Sequence, residues 1–132
     1  MIEIMHVGEY GVTRSIDKLM QLIKENPNEL INVARVNDGK KNYSFIALFK
    51  DKCTIGKYSA CLQEWGTNDG MSGEGGSGFV RMNKFLEENN VRTKDLELHS
   101  HDADRIGYGG SDIVEDRKER DTIWVKYARK LL

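Results

Sequence analysis

The spacing of apolar residues changes several times along the chain, and each change marks an element. Ile2 and Ile4 alternate with Glu3 and Met5, the two-residue period of a half-buried strand over 1–7, before Gly8 and Gly11 interrupt it. From Thr13 the period lengthens. Ile16, Leu19, Met20, Leu22 and Ile23 share one face of a helix predicted over 14–25, with Thr13 or Ser15 as its cap and the apolar stripe as core. Asn26-Pro27 ends that helix, because the residue before proline avoids the helical region. Two strand-like runs, Leu30 to Val36 and Tyr43 to Phe49, then flank Asn37-Asp38-Gly39, a hairpin signal, and a third strand is predicted from Cys53 to about Leu62.

Residues 66–78 hold too much glycine and too few apolar positions for packed structure, so a flexible loop is predicted there. A helix follows over 79–89, burying Phe79, Met82, Phe85 and Leu86, and then a strand over 94–100. The charged run 115–121 reads as an exposed helix. Thr122 to Tyr127 has strand composition, while Trp124, Tyr127, Ala128 and Leu131 have helical spacing; a last strand starting near Thr122 is the preferred reading. Together these elements predict one α/β (α+β) domain over 1–132, a mixed central sheet with a β-hairpin meander flanked by two or three helices.

Composition narrows the partners. With 20 basic and 21 acidic residues and a net charge of −1, the chain has no basic run suited to an extended nucleic acid. No basic leader and no membrane-length apolar run appears, which predicts a cytoplasmic protein with no membrane partner. Cys53 and Cys61 are too far apart for a Cys-x-x-Cys motif and are expected to be reduced core thiols; a structural zinc on them is the lesser alternative.

The chemistry-bearing stretch is 95–112. On an extended strand Glu97, His99 and His101 would share a face, two imidazoles suit a zinc, and the glycines at 107, 109 and 110 would let Asp112 curl back as a third ligand. The plainer alternative makes the histidines exposed strand residues and Asp112 with Glu115 a helix-capping box.

The spacing His99-Ser100-His101-x10-Asp112 resembles the JAMM (JAB, MPN+) zinc metalloprotease and isopeptidase family. The resemblance implies a JAMM-like fold, zinc held by His99, His101 and Asp112, and an upstream glutamate as general base. Glu29, after the first helix in Pro27-Asn28-Glu29, takes that place, with Glu9 in reserve. Where the family has proline after the second histidine this chain has Asp102, and where it has a serine before the aspartate this chain has Gly109, with Ser111 the nearby serine. The implied reaction is zinc-dependent hydrolysis of a peptide or isopeptide bond in a peptide or protein conjugate; a pseudo-enzyme kept as an interaction module is a further alternative.

The competing class is a binding protein without chemistry. In it the glycine-rich segment, with Gly76 and Gly78 at the start of the next helix, holds an anionic ligand such as a cyclic nucleotide, helped by Phe79, Arg81, Arg92, Arg105 and Tyr108.

Overall fold

The computed structural model describes residues 1–7, 11–70, 73–106 and 117–132. In chain order the elements are β1 (Ile2–His6), α1 (Val12–Glu25), β2 (Leu30–Asn37), β3 (Asn42–Lys50), β4 (Tyr58–Asn68), α2 (Glu74–Glu88), β5 (Thr93–Glu97), α3 (Ser100–Ile106) and α4 (Arg117–Arg129). The five strands make one mixed sheet in the order β1-β4-β3-β2-β5. β2, β3 and β4 form the antiparallel meander, while β1 pairs with β4 and β5 with β2 in parallel.

Both faces of the sheet are covered, and this explains the near-continuous apolar run of β3 at its centre. Ile16, Leu19 and Ile23 of α1 and Met82, Phe85 and Leu86 of α2 pack with Val33, Phe45, Ala47 and Cys61 on one face. On the other, Trp124, Tyr127 and Ala128 of α4 and Ile106 of α3 pack with Ala34, Ile46, Leu48, Leu62 and Trp65. Each large apolar side chain buried this way is worth about 1.5–3 kcal/mol before entropy is counted. Among the described residues no helix is long and apolar enough to cross a membrane.

Several expected boundaries move, each for an identifiable reason. The C-terminal segment is helix and not a strand: the i, i+3, i+4, i+7 spacing of Trp124, Tyr127, Ala128 and Leu131 prevails over the β-prone composition, since it places all four on the core. The third meander strand begins at Tyr58 because the Asp51 carboxylate accepts the N–H groups of Cys53 (2.8 Å) and Thr54 (3.0 Å), holding that stretch in a turn.

Most of the predicted loop 66–78 is ordered: β4 runs to Asn68 and α2 starts at Glu74. Its glycines serve close packing. A Cβ on Gly75 would lie 2.6 Å from the Gly66 carbonyl oxygen, and one on Gly78 would lie 2.8 Å from Val12 Cγ1. Glycine there lets α2 sit directly on β4 and α1, which composition alone reads as flexibility.

Candidate functional site

The strand β5 ends at Glu97, so the two histidines do not share a strand face. His99 is instead the residue preceding α3. Its carbonyl accepts the first helical N–H, from Ala103 at 2.8 Å, and its Nδ1 accepts the His101 N–H at 3.3 Å. That is the part a helix N-cap plays, here taken by an imidazole with Nδ1 unprotonated. Asp102, at the third helical position, completes a capping box through an intermediary. The His99 N–H donates to the Tyr127 hydroxyl (2.8 Å), which donates in turn to Asp102 Oδ2 (2.6 Å).

Lys126 Nζ lies 2.6 Å from the same oxygen. Burial pushes the Asp102 carboxyl up, but the hydrogen bonds from Lys126 and Tyr127 outweigh it and hold the group below its ordinary range. Burial, reinforced by Asp102, pushes the Tyr127 hydroxyl up to about 12. Asp102 is therefore the residue that this network is built on.

The remaining expected site residues scatter. Asp112, Ser111, Tyr108 and Glu9 lie outside the described residues. Glu29 sits at the amino end of β2, its carbonyl accepting the Lys50 N–H at 2.9 Å and its carboxylate 3.4 Å from Lys52 Nζ. His99 follows the carboxyl end of β5, which runs parallel to β2, so the length of β2 separates them by about 25 Å at roughly 3.3 Å per residue. Glu29 is therefore not placed as a base for any centre at His99; the helix exit that was expected to aim it there delivers it to the opposite end of the sheet.

Of the residues expected to capture an anion, the described ones do not converge either. Gly76 and Gly78 are buried in α2, and Phe79 packs on Tyr43 with ring centroids 4.5 Å apart. Arg81 pairs with Asp17 on α1, Arg105 pairs with Glu119 on α4, and Arg92 lines a groove with Pro27 and Asn32 at the amino ends of β2 and β5. Capping occupies Nδ1 of His99, so its Nε2 is the nitrogen left to bind a metal. Among the described residues no group of three or more His, Cys, Asp or Glu side chains is placed to hold a metal ion.

A different constellation forms at the carboxyl ends of β1 and β4, where a crevice of about 450 Å³ opens between α1 on one face of the sheet and α4 on the other. It depends on a bulge. Tyr43 faces Thr67 and Phe45 faces Gln63, so Glu64, Trp65 and Gly66 together stand opposite Ser44 alone. Trp65 (φ 53°) and Gly66 (φ 87°) are both left-handed, a conformation that costs a non-glycine residue about 1–3 kcal/mol. Three contacts hold Trp65 there: its N–H donates to Ser44 Oγ (2.8 Å), its indole N–H to the Ile106 carbonyl (2.7 Å), and its ring meets Trp124 at 5.7 Å.

The bulge leaves Gln63, Glu64 and Gly66 on the crevice wall beside His6, Arg117 and Arg120. His6 Nε2 lies 2.7 Å from Asp121 Oδ1 and Nδ1 lies 3.9 Å from Glu64 Oε2, while Arg120 pairs with Glu64. Burial lowers the Arg120 pKa against the opposing pull of Asp121, yet a guanidinium starting so high keeps its charge.

The amino end of α1, capped by Gly11 with no side-chain cap bond, reaches the same crevice. Glu74 of α2 already exploits the adjacent turn: its Oε1 accepts the Thr13 hydroxyl (2.6 Å) and N–H (3.0 Å), and these bonds lower its pKa. The positive end of α1 thus holds one carboxylate from the chain itself.

Sequence reasoning passed over Gln63, Glu64, His6 and Arg120. The one local signal was Trp65-Gly66 inside a strand-like run, since glycine within a strand marks a bulge or a close approach. Comparison with protein-family models, with curated proteins and with solved structures finds no match to this chain.

Proposed function

We propose that this protein is a small-molecule binding domain that captures an anionic ligand, of the phosphate or nucleotide class, in the crevice at the carboxyl ends of β1 and β4. The observation that carries this reading is the convergence there of the amino end of α1, Arg117, Arg120 and His6 around a bulge held in a strained backbone. Open α/β sheets offer such crevices outside the carboxyl ends of their strands. No step of bond cleavage is required by these groups. A cytoplasmic setting belongs to the same proposal and is supported by the two unpaired thiols, Cys53 exposed and Cys61 buried.

The test is a thermal-shift series with inorganic phosphate, mononucleotides and cyclic mononucleotides up to millimolar concentration. A binder stabilises the fold by mass action, so the melting temperature should climb with the concentration of at least one of them, and Arg117→Ala should reduce the climb. A flat response to every probe would overturn the reading.

Zinc-dependent hydrolysis of a peptide or isopeptide bond is the second reading, favoured by the spacing His99-Ser100-His101-x10-Asp112. It requires stoichiometric zinc in protein prepared without a chelator or histidine tag, lost in His99→Ala and in Asp112→Asn. Zinc below a tenth of an equivalent (roughly, for a structural or catalytic site) would remove it.

A further inference from the structure

We infer that the crevice selects an anion that also carries an O–H or N–H donor, and that the Gln63 amide oxygen is the group that reads this donor. The inference rests on the crevice being the ligand site. Gln63 is 2% exposed and lines the crevice. Its Nε2 donates to the Trp65 carbonyl at 2.5 Å, and this contact fixes the orientation of the amide, because the flipped form would set oxygen against oxygen. Oε1 is then the free end of the amide, buried and without a hydrogen-bond partner among the described residues.

A buried acceptor left unmade costs free energy that an apolar side chain of the same shape would not, so its presence calls for a donor that arrives from elsewhere. A Cβ on Gly66 would lie 2.9 Å from Val12 Cγ2 and 3.8 Å from Gln63 Nε2, so at this φ of +87° only glycine fits between Val12 and the Gln63 amide. The amino end of α1 and the arginines of α4 line the same crevice from either side and suit the charged part of the ligand. The chemical class that joins both features is a hydroxylated phosphate ester.

The experiment compares glycerol 3-phosphate with propyl phosphate, which match in charge and chain length and differ by two hydroxyl groups. Dissociation constants are measured by calorimetry on the full chain, on Gln63→Met, and on Gln63→Asn, which keeps an amide but withdraws it; circular dichroism confirms that each variant is folded. The parent should favour glycerol 3-phosphate by about fivefold to tenfold, the value of one neutral hydrogen bond, and the ratio should collapse toward one in whichever variants are folded. Equal affinity of the parent for both esters would overturn the inference, since a water or nothing at all would then be satisfying Gln63. Persistence of the preference in the folded variants would overturn it too, by placing the donor's partner elsewhere. In both cases binding of the two esters would leave the crevice itself standing as the site, whereas no binding of either would overturn the inference and, with a flat response to phosphate and the nucleotides, the crevice reading as well.

Discussion

Two strand ends of the sheet each bring a histidine together with carboxylates, and they differ in what those contacts leave over. At the carboxyl end of β5 the polar groups satisfy one another: the His99 N–H reaches the Tyr127 hydroxyl, that hydroxyl reaches Asp102, and Lys126 closes the charge. At the carboxyl ends of β1 and β4 the backbone is strained at Trp65, and the amide oxygen of buried Gln63 has no partner among the described residues. A closed network is what ties α3 and α4 to the sheet. An open one stores free energy that a bound molecule can release, which is why the second end, and not the conspicuous His-Ser-His stretch, is the better candidate for function.

The comparison is broken most directly at Asp102. Asp102→Ala removes the acceptor on which Tyr127 and Lys126 converge and should destabilise the protein by about 2–3 kcal/mol, the range for a buried charge-assisted hydrogen bond, seen as an earlier urea midpoint. A loss within experimental error would mean the network is ornamental and would revive a ligand role for that end. On the other side, Gly75→Ala should cost about 2 kcal/mol, because the added methyl would sit 2.6 Å from the Gly66 carbonyl oxygen and must push α2 off β4. The same variant should weaken anion binding in the crevice more than Asp102→Ala does; a stable Gly75→Ala protein would restore the loop reading of 66–78.

A smaller effect sharpens the contrast through pH. The folded state keeps the Tyr127 proton up to about 12, while an ordinary tyrosine loses it near 10.0, so the stability this group contributes is fully present below pH 10 and is lost as pH rises through about 12. Tyr127→Phe should be less stable at pH 7, by about 1–2 kcal/mol for the hydrogen bonds lost, and should narrow its deficit relative to the parent across that alkaline window. Parallel stability curves for the two proteins would contradict the assignment. Smallest of all, His99→Asn retains a capping acceptor and His101→Ala removes an exposed ring, so both should stay within about 0.5 kcal/mol of the parent. Zinc lost from either variant would reverse the comparison and return the site to the histidines.

Helix α1 and the β2–β3 hairpin were legible because their signals are local: a five-residue apolar stripe at helical spacing, a proline stop, and Asp38-Gly39 between two apolar runs. The meander was legible for the same reason. The segment 122–127 was misjudged because its composition and its periodicity disagree, and burial of Trp124 and Tyr127 against the sheet decided in favour of periodicity. The glycines of 74–78 were misjudged because their use, a close approach of α2 to β4 and α1, involves residues distant in the chain.

The sequence by itself determined which segments can be helix or strand and which side chains are able to bind metal, proton or anion, since those depend on residues a few positions apart. Where those side chains meet was decided only by the tertiary structure. The parallel pairing of β5 with β2 sends His99 and Glu29 to opposite ends of the sheet, and the parallel pairing of β1 with β4 brings His6 beside Glu64. The packing of α4 on β1 then brings Arg120 and Asp121 to them. Strand order and direction are set by how two apolar faces of one sheet are covered at once, a condition on the whole chain that no local pattern contains.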